Sequence, residues 1–175
     1  SLLPSGSWPS EGSVSEDVVK LYGREGFSWI GADESILFRS LSSENVPYDL
    51  IKNQRHMIYR PYSFDGVNIF FRDRNFSDML SFTYQGWEDS EFAAGDLLEH
   101  FKRTHHHTKD VFKQRAITII MDGENAWEYY PNNGIDFLES VYQRLEKNEL
   151  LTTSTPSQFL QESASKSLER ELRFR

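Results

Sequence analysis

A chain of 175 residues that is 38% hydrophobic and 26% charged has the make-up of a soluble globular domain with a real core, so disorder is not the default reading. Its formal net charge of −8 argues against a sequence-independent grip on nucleic acid, which needs many Lys and Arg against phosphates, and suits a neutral or cationic partner better. The absence of cysteine excludes disulfides, thiolate metal sites and a thiol nucleophile and fits a cytoplasmic protein; no apolar run approaches the roughly 20 residues that span a bilayer, and no signal-peptide pattern opens the chain.

In chain order, "SWPSEGSVSED" (7–17) places Glu11 in a Trp-Pro turn, after a short strand. Ser13 and Glu16 then have capping-box spacing, and Val14, Val18, Leu21 and Tyr22 recur on one face of a helix that ends around Gly26. "FSWIGAD" (27–33) and "VNIFFRD" (67–73) read as buried strands. Ala94, Leu97, Leu98 and Phe101 give the next helical face, "AITIIMD" (116–122) a third strand, and Ile135, Leu138, Val141, Tyr142 and Leu145 a further helix. "LLTTSTP" (150–156) is a fourth strand candidate, and the polar tail "SASKSLERELRFR" (163–175) reads as an exposed helix or a frayed end.

Near-continuous apolar strands alternating with amphipathic helices indicate an α/β fold with a mainly parallel sheet, open or closed into a barrel. Three runs stop on a carboxylate, at Asp33 with Glu34, at Asp73, and at Asp122 with Glu124. In parallel β/α folds such ends share one rim, where sites are built, so these acids and Glu11 are expected to converge. The bland alternative is that each acid starts a loop or caps a helix. His105, His106 and His107 are adjacent, which points them in different directions on a helix and makes a solvated helix end the better reading than a metal site.

Paired carboxylates in contrasting environments suit glycosidic-bond cleavage, with one acting as an anion and the other, held protonated, delivering a proton. Asp122 follows the apolar run from Ile117 to Met121, where partial desolvation would favour its neutral form, while Glu11 precedes a helix N-terminus, which favours an anion. Trp8, Trp87, Trp127 and Tyr129 are candidates to stack on sugar faces.

"WPSEGSVSEDVVKLYGREGFSWIGADESIL", "FFRDRNFSDMLSF" and "IIMDGENAWEYYPNNGIDFLESVYQRL" strongly resemble glycoside hydrolase family 57, from about residue 6 to about residue 161. The resemblance implies a retaining enzyme acting on α-1,4- or α-1,6-linked glucan, on part of a seven-stranded (β/α) barrel, with no metal or organic cofactor. It implies Glu11 as nucleophile and Asp122 as general acid/base, whose carboxyl groups in a retaining pair lie about 5–5.5 Å apart. It further implies that Arg72, Asp73 and Asp78 shape the pocket and that Trp8, Glu124 and Trp127 surround the donor sugar; for Asp78, an early helix position near an N-cap competes.

The family's earlier blocks and its last aromatic block have no counterpart here, so residues 1–175 are expected to form a single partial catalytic domain. Such a sheet, of about five strands, would have exposed edges and could self-associate through them. The rival enzyme reading is a metal-dependent polysaccharide deacetylase-like protein on a related barrel, which wants His beside Asp33, Asp73 or Asp122 and finds none. The non-enzymatic rival is a carbohydrate-binding fragment.

Overall fold

The structure is a computed structural model that describes residues 3–42, 46–112, 114–124, 126–164 and 172. Among these, four strands form one sheet in the order β1 (Gly6–Ser7), β2 (Trp29–Asp33), β4 (Val67–Arg72) and β3 (Tyr62–Phe64). β1, β2 and β4 are parallel, and β3 runs antiparallel to β4. Seven α-helices accompany them: α1 (Glu16–Arg24), α2 (Glu34–Leu41), α3 (Tyr48–Lys52), α4 (Arg74–Asp78), α5 (Ser90–Thr108), α6 (Ile135–Glu146) and α7 (Pro156–Ala164). The fold is mixed α/β. None of the described helices is long and apolar enough to cross a membrane.

The chain divides into two compact units. The first takes residues 1–73, 114–118 and 154–175 and holds the sheet. β2 and β4 are buried along nearly their whole length, as strands covered on both faces are. Ile30, Ala32, Ile69 and Phe71 meet Val19 of α1, Leu37 and Phe38 of α2, and Leu172 in one core. Each such large side chain contributes about 1.5–3 kcal/mol by leaving water.

The second unit takes residues 74–113 and 119–153. Here α5 packs along α6. Leu97, Leu98 and Phe101 are buried as their spacing predicts, and the Phe101 ring meets Phe76 edge-on at 4.9 Å. On α6 the buried residues are Phe137, Ser140 and Val141, whereas Ile135 and Tyr142 are exposed, so the inward stripe is rotated from the predicted one. The histidines 105–107 do close the end of α5, where the His107 ring bonds the Arg103 carbonyl.

Other expectations are corrected. The α1 cap is Ser15, whose hydroxyl accepts from the Val18 amide, and not Ser13; the helix ends at Arg24, and Leu21 faces solvent while Val19 is buried. Residues 116–122 form no strand. The edge of β4 that they would occupy is already paired with β3, through a hairpin whose Asp65 and Gly66 both have positive φ (50° and 78°), as a tight two-residue turn requires. The segment is held irregularly instead: the Ala116 amide donates to the Tyr59 carbonyl, the Asp73 amide to the Thr118 carbonyl and the Ile120 amide to the Ser77 hydroxyl.

Residues 150–156 form no strand either. Asn148 accepts from the amides of Leu150 and Leu151, and Thr155 and Gln158 cap the start of α7 reciprocally, which takes the backbone groups a ladder would need. Among the described residues the sheet is therefore four-stranded, where about five strands were expected. Its edge strands are two and three residues long. Of the tail, Ser163 and Ala164 close α7 and Leu172 is buried in the core, and its other residues lie outside the described ones.

Candidate active site

In the first unit the parallel strands bring their C-terminal ends to one rim, as the sequence predicts. β1 runs into Trp8, Pro9 and a single 3-10 turn, Ser10–Gly12. Glu11 sits at the exposed tip of that turn with φ 54° and ψ 19°, a left-handed conformation uncommon for a residue with a side chain. The turn is closed by the Gly12 amide on the Pro9 carbonyl (2.9 Å) and the Ser13 amide on the Ser10 carbonyl (3.0 Å). Gly12, at φ +63°, is wedged between the Trp8 indole and the backbone nitrogen of Asp33. The Glu11 turn is thus seated directly on the end of β2.

Asp33 and Arg72 are register partners at the ends of β2 and β4. The Asp33 carboxylate caps α2 by accepting from the Ser35 amide at 2.9 Å, so the capping role applies to this acid. Glu34 and Asp73 do converge, and they do so on Arg55. The guanidinium gives a two-pronged grip to Glu34, Nη1 to Oε1 at 2.9 Å and Nη2 to Oε2 at 3.0 Å, while Nη2 also donates to Asp73 Oδ1 at 2.7 Å. The Tyr59 hydroxyl donates to Asp73 Oδ2 at 2.8 Å. Burial works against the Arg55 charge, but the Glu34 hydrogen bonds and the two carboxylate charges outweigh it and hold its pKa above the ordinary value.

Asp73 is 1% exposed and both its oxygens are engaged, which makes it an anchor within the protein in place of the pocket-lining group the sequence suggests. Arg55 and Tyr59 went unnoticed in the sequence, where "NQRHMIYR" carries no periodicity and no motif.

The remaining candidates belong to the second unit. Asp78 is half-buried at the last position of α4 and is the N-cap of the π-helical turn that follows, Met79–Thr83, without a capping bond from its side chain. Asp122 is exposed just before a turn that holds Glu124, also exposed; the partial desolvation expected for Asp122 is not supplied by the described residues. Trp127 is half-buried in an aromatic group with Tyr130 (5.3 Å) and Phe137 (6.4 Å). The Tyr130 hydroxyl donates to the Leu80 carbonyl, and burial pushes its pKa up. Trp87 stacks on Phe92 at 5.4 Å and meets Tyr84 edge-on, whereas Tyr129 is 70% exposed.

The family model of glycosyl hydrolase family 57 matches residues 3–170, and the chain belongs to that family. Two solved structures share its fold. The alpha-amylase AmyC from Thermotoga maritima superposes with a TM-score of 0.76 at 14% identity, over 98% of this chain and 42% of that one. A 4-alpha-glucanotransferase from Thermococcus litoralis gives 0.68 at 16% identity, over 98% of this chain and 24% of that one. The chain thus spans less than half the length of either. No curated protein matches it.

Proposed function

We propose that this chain carries the catalytic carboxylates of a retaining enzyme that cleaves or transfers α-1,4- or α-1,6-linked glucan. The observation that supports the reading most is the family match, which runs through both the Glu11 and the Asp122 blocks, together with a turn that presents Glu11 at the strand-end rim.

In this mechanism the Glu11 carboxylate attacks the anomeric carbon, and the bond from that carbon to the leaving oxygen breaks as Asp122 gives the oxygen its proton. The product is a glycosyl ester on Glu11. Asp122, now ionised, takes a proton from water or from a sugar hydroxyl, whose oxygen displaces Glu11 from the anomeric carbon. Water gives hydrolysis and a sugar gives transfer. Trp8, Glu124 and Trp127 are assigned to surround the donor sugar, with Arg72 and Asp78 shaping the pocket.

The test is incubation with a fluorinated α-glucosyl fluoride that stalls the second step, followed by intact-mass and peptide analysis. One sugar adduct on Glu11, absent from Glu11→Gln, is the expected result. An adduct on another carboxylate would sink the assignment. The exposure of Asp122 gives one specific reason to weigh a second reading, a glucan-binding part without turnover. Maltooligosaccharide binding unchanged in Glu11→Gln and Asp122→Asn, with no adduct in the wild type, would favour it.

A further inference from the structure

We infer that Arg55 is a positioning residue for the Glu11 turn, acting through the ends of β2 and β4; the inference rests on the reading of Glu11 as nucleophile. Two carboxylates, Glu34 at 7% exposure and Asp73 at 1%, face a single guanidinium. Glu34 follows β2 directly and Asp73 follows β4, so Arg55 bridges two neighbouring strand ends at the rim.

The link to Glu11 is short and continuous. Glu34 is the first residue of α2, its neighbour Asp33 is both the last residue of β2 and the cap of α2, and the Asp33 backbone nitrogen bears on Gly12. Gly12 follows Glu11 in the same closed turn. A shift of Glu34 therefore displaces the surface on which the Glu11 turn rests.

Only arginine meets the geometry. Three hydrogen bonds leave two nitrogens of one plane toward two acids, and a lysine ammonium has neither the fork nor the planarity to replace them. Tyr59 fixes the second oxygen of Asp73 from the other side, so the clamp has one orientation. Arg55 itself needs no contact with a sugar in this role. Small displacements of a reacting group cost large factors in rate, so the expected effect is kinetic.

The experiment compares the wild-type chain with Arg55→Lys and Tyr59→Phe, the latter a milder change that keeps the ring. The rate of Glu11 labelling is measured against the concentration of the fluorinated glucosyl fluoride. Amide hydrogen exchange is followed at Gly12 and Ser13, with Val19 as an internal reference on α1. The limiting labelling rate is expected to fall at least tenfold in Arg55→Lys and less in Tyr59→Phe, with the half-saturating concentration changed less than twofold. Exchange at Gly12 and Ser13 should rise more than at Val19.

A raised half-saturating concentration at an unchanged limiting rate would mean that Arg55 touches the sugar, and overturns the positioning role. Unchanged exchange at the turn in both variants overturns it as well. A wild-type chain that takes no label, with turn exchange still rising in the variants, removes the nucleophile assignment while the structural coupling of Arg55 to the turn stands.

Discussion

The indole of Trp127 lies against Gly134 so closely that a β-carbon on that glycine would meet Trp127 Cε3 at 2.9 Å. The first unit repeats the device, since a β-carbon on Gly12 would stand 2.3 Å from Trp8 Cη2 and 2.8 Å from the Asp33 nitrogen. Both glycines have positive φ, +75° and +63°. In each unit a tryptophan from a family block is thereby held by a backbone that only glycine can supply.

The two positions differ in how they can yield. Gly12→Ala meets a backbone atom that cannot move aside, so overpacking of about 1–3 kcal/mol adds to about 1 kcal/mol of backbone strain. Gly134→Ala meets one ring edge, which can tilt, and should cost less. Denaturant unfolding of both variants checks the order, and an equal or larger loss for Gly134→Ala would show that the Trp8 side relaxes.

Glu11 pays for its place with strain. A left-handed residue that is neither Gly nor Asn is disfavoured by roughly 1–2 kcal/mol, and Asn tolerates the conformation because its short side chain bonds locally. Glu11→Asn is therefore expected to stabilise the first unit by up to about 1 kcal/mol while abolishing the sugar adduct. Glu11→Gln should abolish the adduct with no gain in stability. Melting temperatures measured alongside the labelling experiment separate the two, and equal melting of Glu11→Asn and wild type would mean that the turn holds no strain.

Phe137 ties the aromatic group of the second unit together. Its ring centre lies 5.2 Å from Tyr130, 5.8 Å from Tyr84 and 6.4 Å from Trp127, and the residue is 1% exposed. Phe137→Ala should cost about 3–5 kcal/mol, as large-to-small changes at buried rings do, and Phe137→Leu clearly less. Tryptophan fluorescence of the folded variants should also shift, because Trp127 loses a wall of its site. A loss below 1 kcal/mol would place the weight of this core elsewhere.

The parts of this chain that were legible in sequence are those whose signal is local. The near-continuous apolar runs give β2 and β4, their closing acids give the rim, and the i, i+3, i+4 spacing on α5 gives its buried face. The hairpin was also written locally, in Asp65-Gly66, as was the cap of α7, in Thr155 and Gln158. The apolar runs at 116–122 and 150–156 outweighed both signals, so these two segments read as strands. Arg55 is a different case. Its partners lie 21 and 18 residues away, and no local pattern marks a residue whose role exists only once two strand ends have been brought together.

Glu91 at the start of α5 and Arg144 on α6 form an ion pair at 2.6 Å, and Arg144 also donates to the Ser140 hydroxyl at 3.1 Å. The hydrogen bond from Arg144 lowers the pKa of Glu91 below its ordinary 4.5. A carboxyl with a lower pKa in the folded state stabilises that state above its unfolded value, and the contribution disappears as pH falls through the folded value. Glu91→Gln should therefore melt below wild type at pH 7 in low salt. The gap should close on acidification well below pH 4.5, and at about 1 M salt, where screening acts within about 3 Å. The effect is small, since both side chains face solvent. A melting gap equal at pH 7 and at pH 3 would show that Glu91 acts by packing and not by charge.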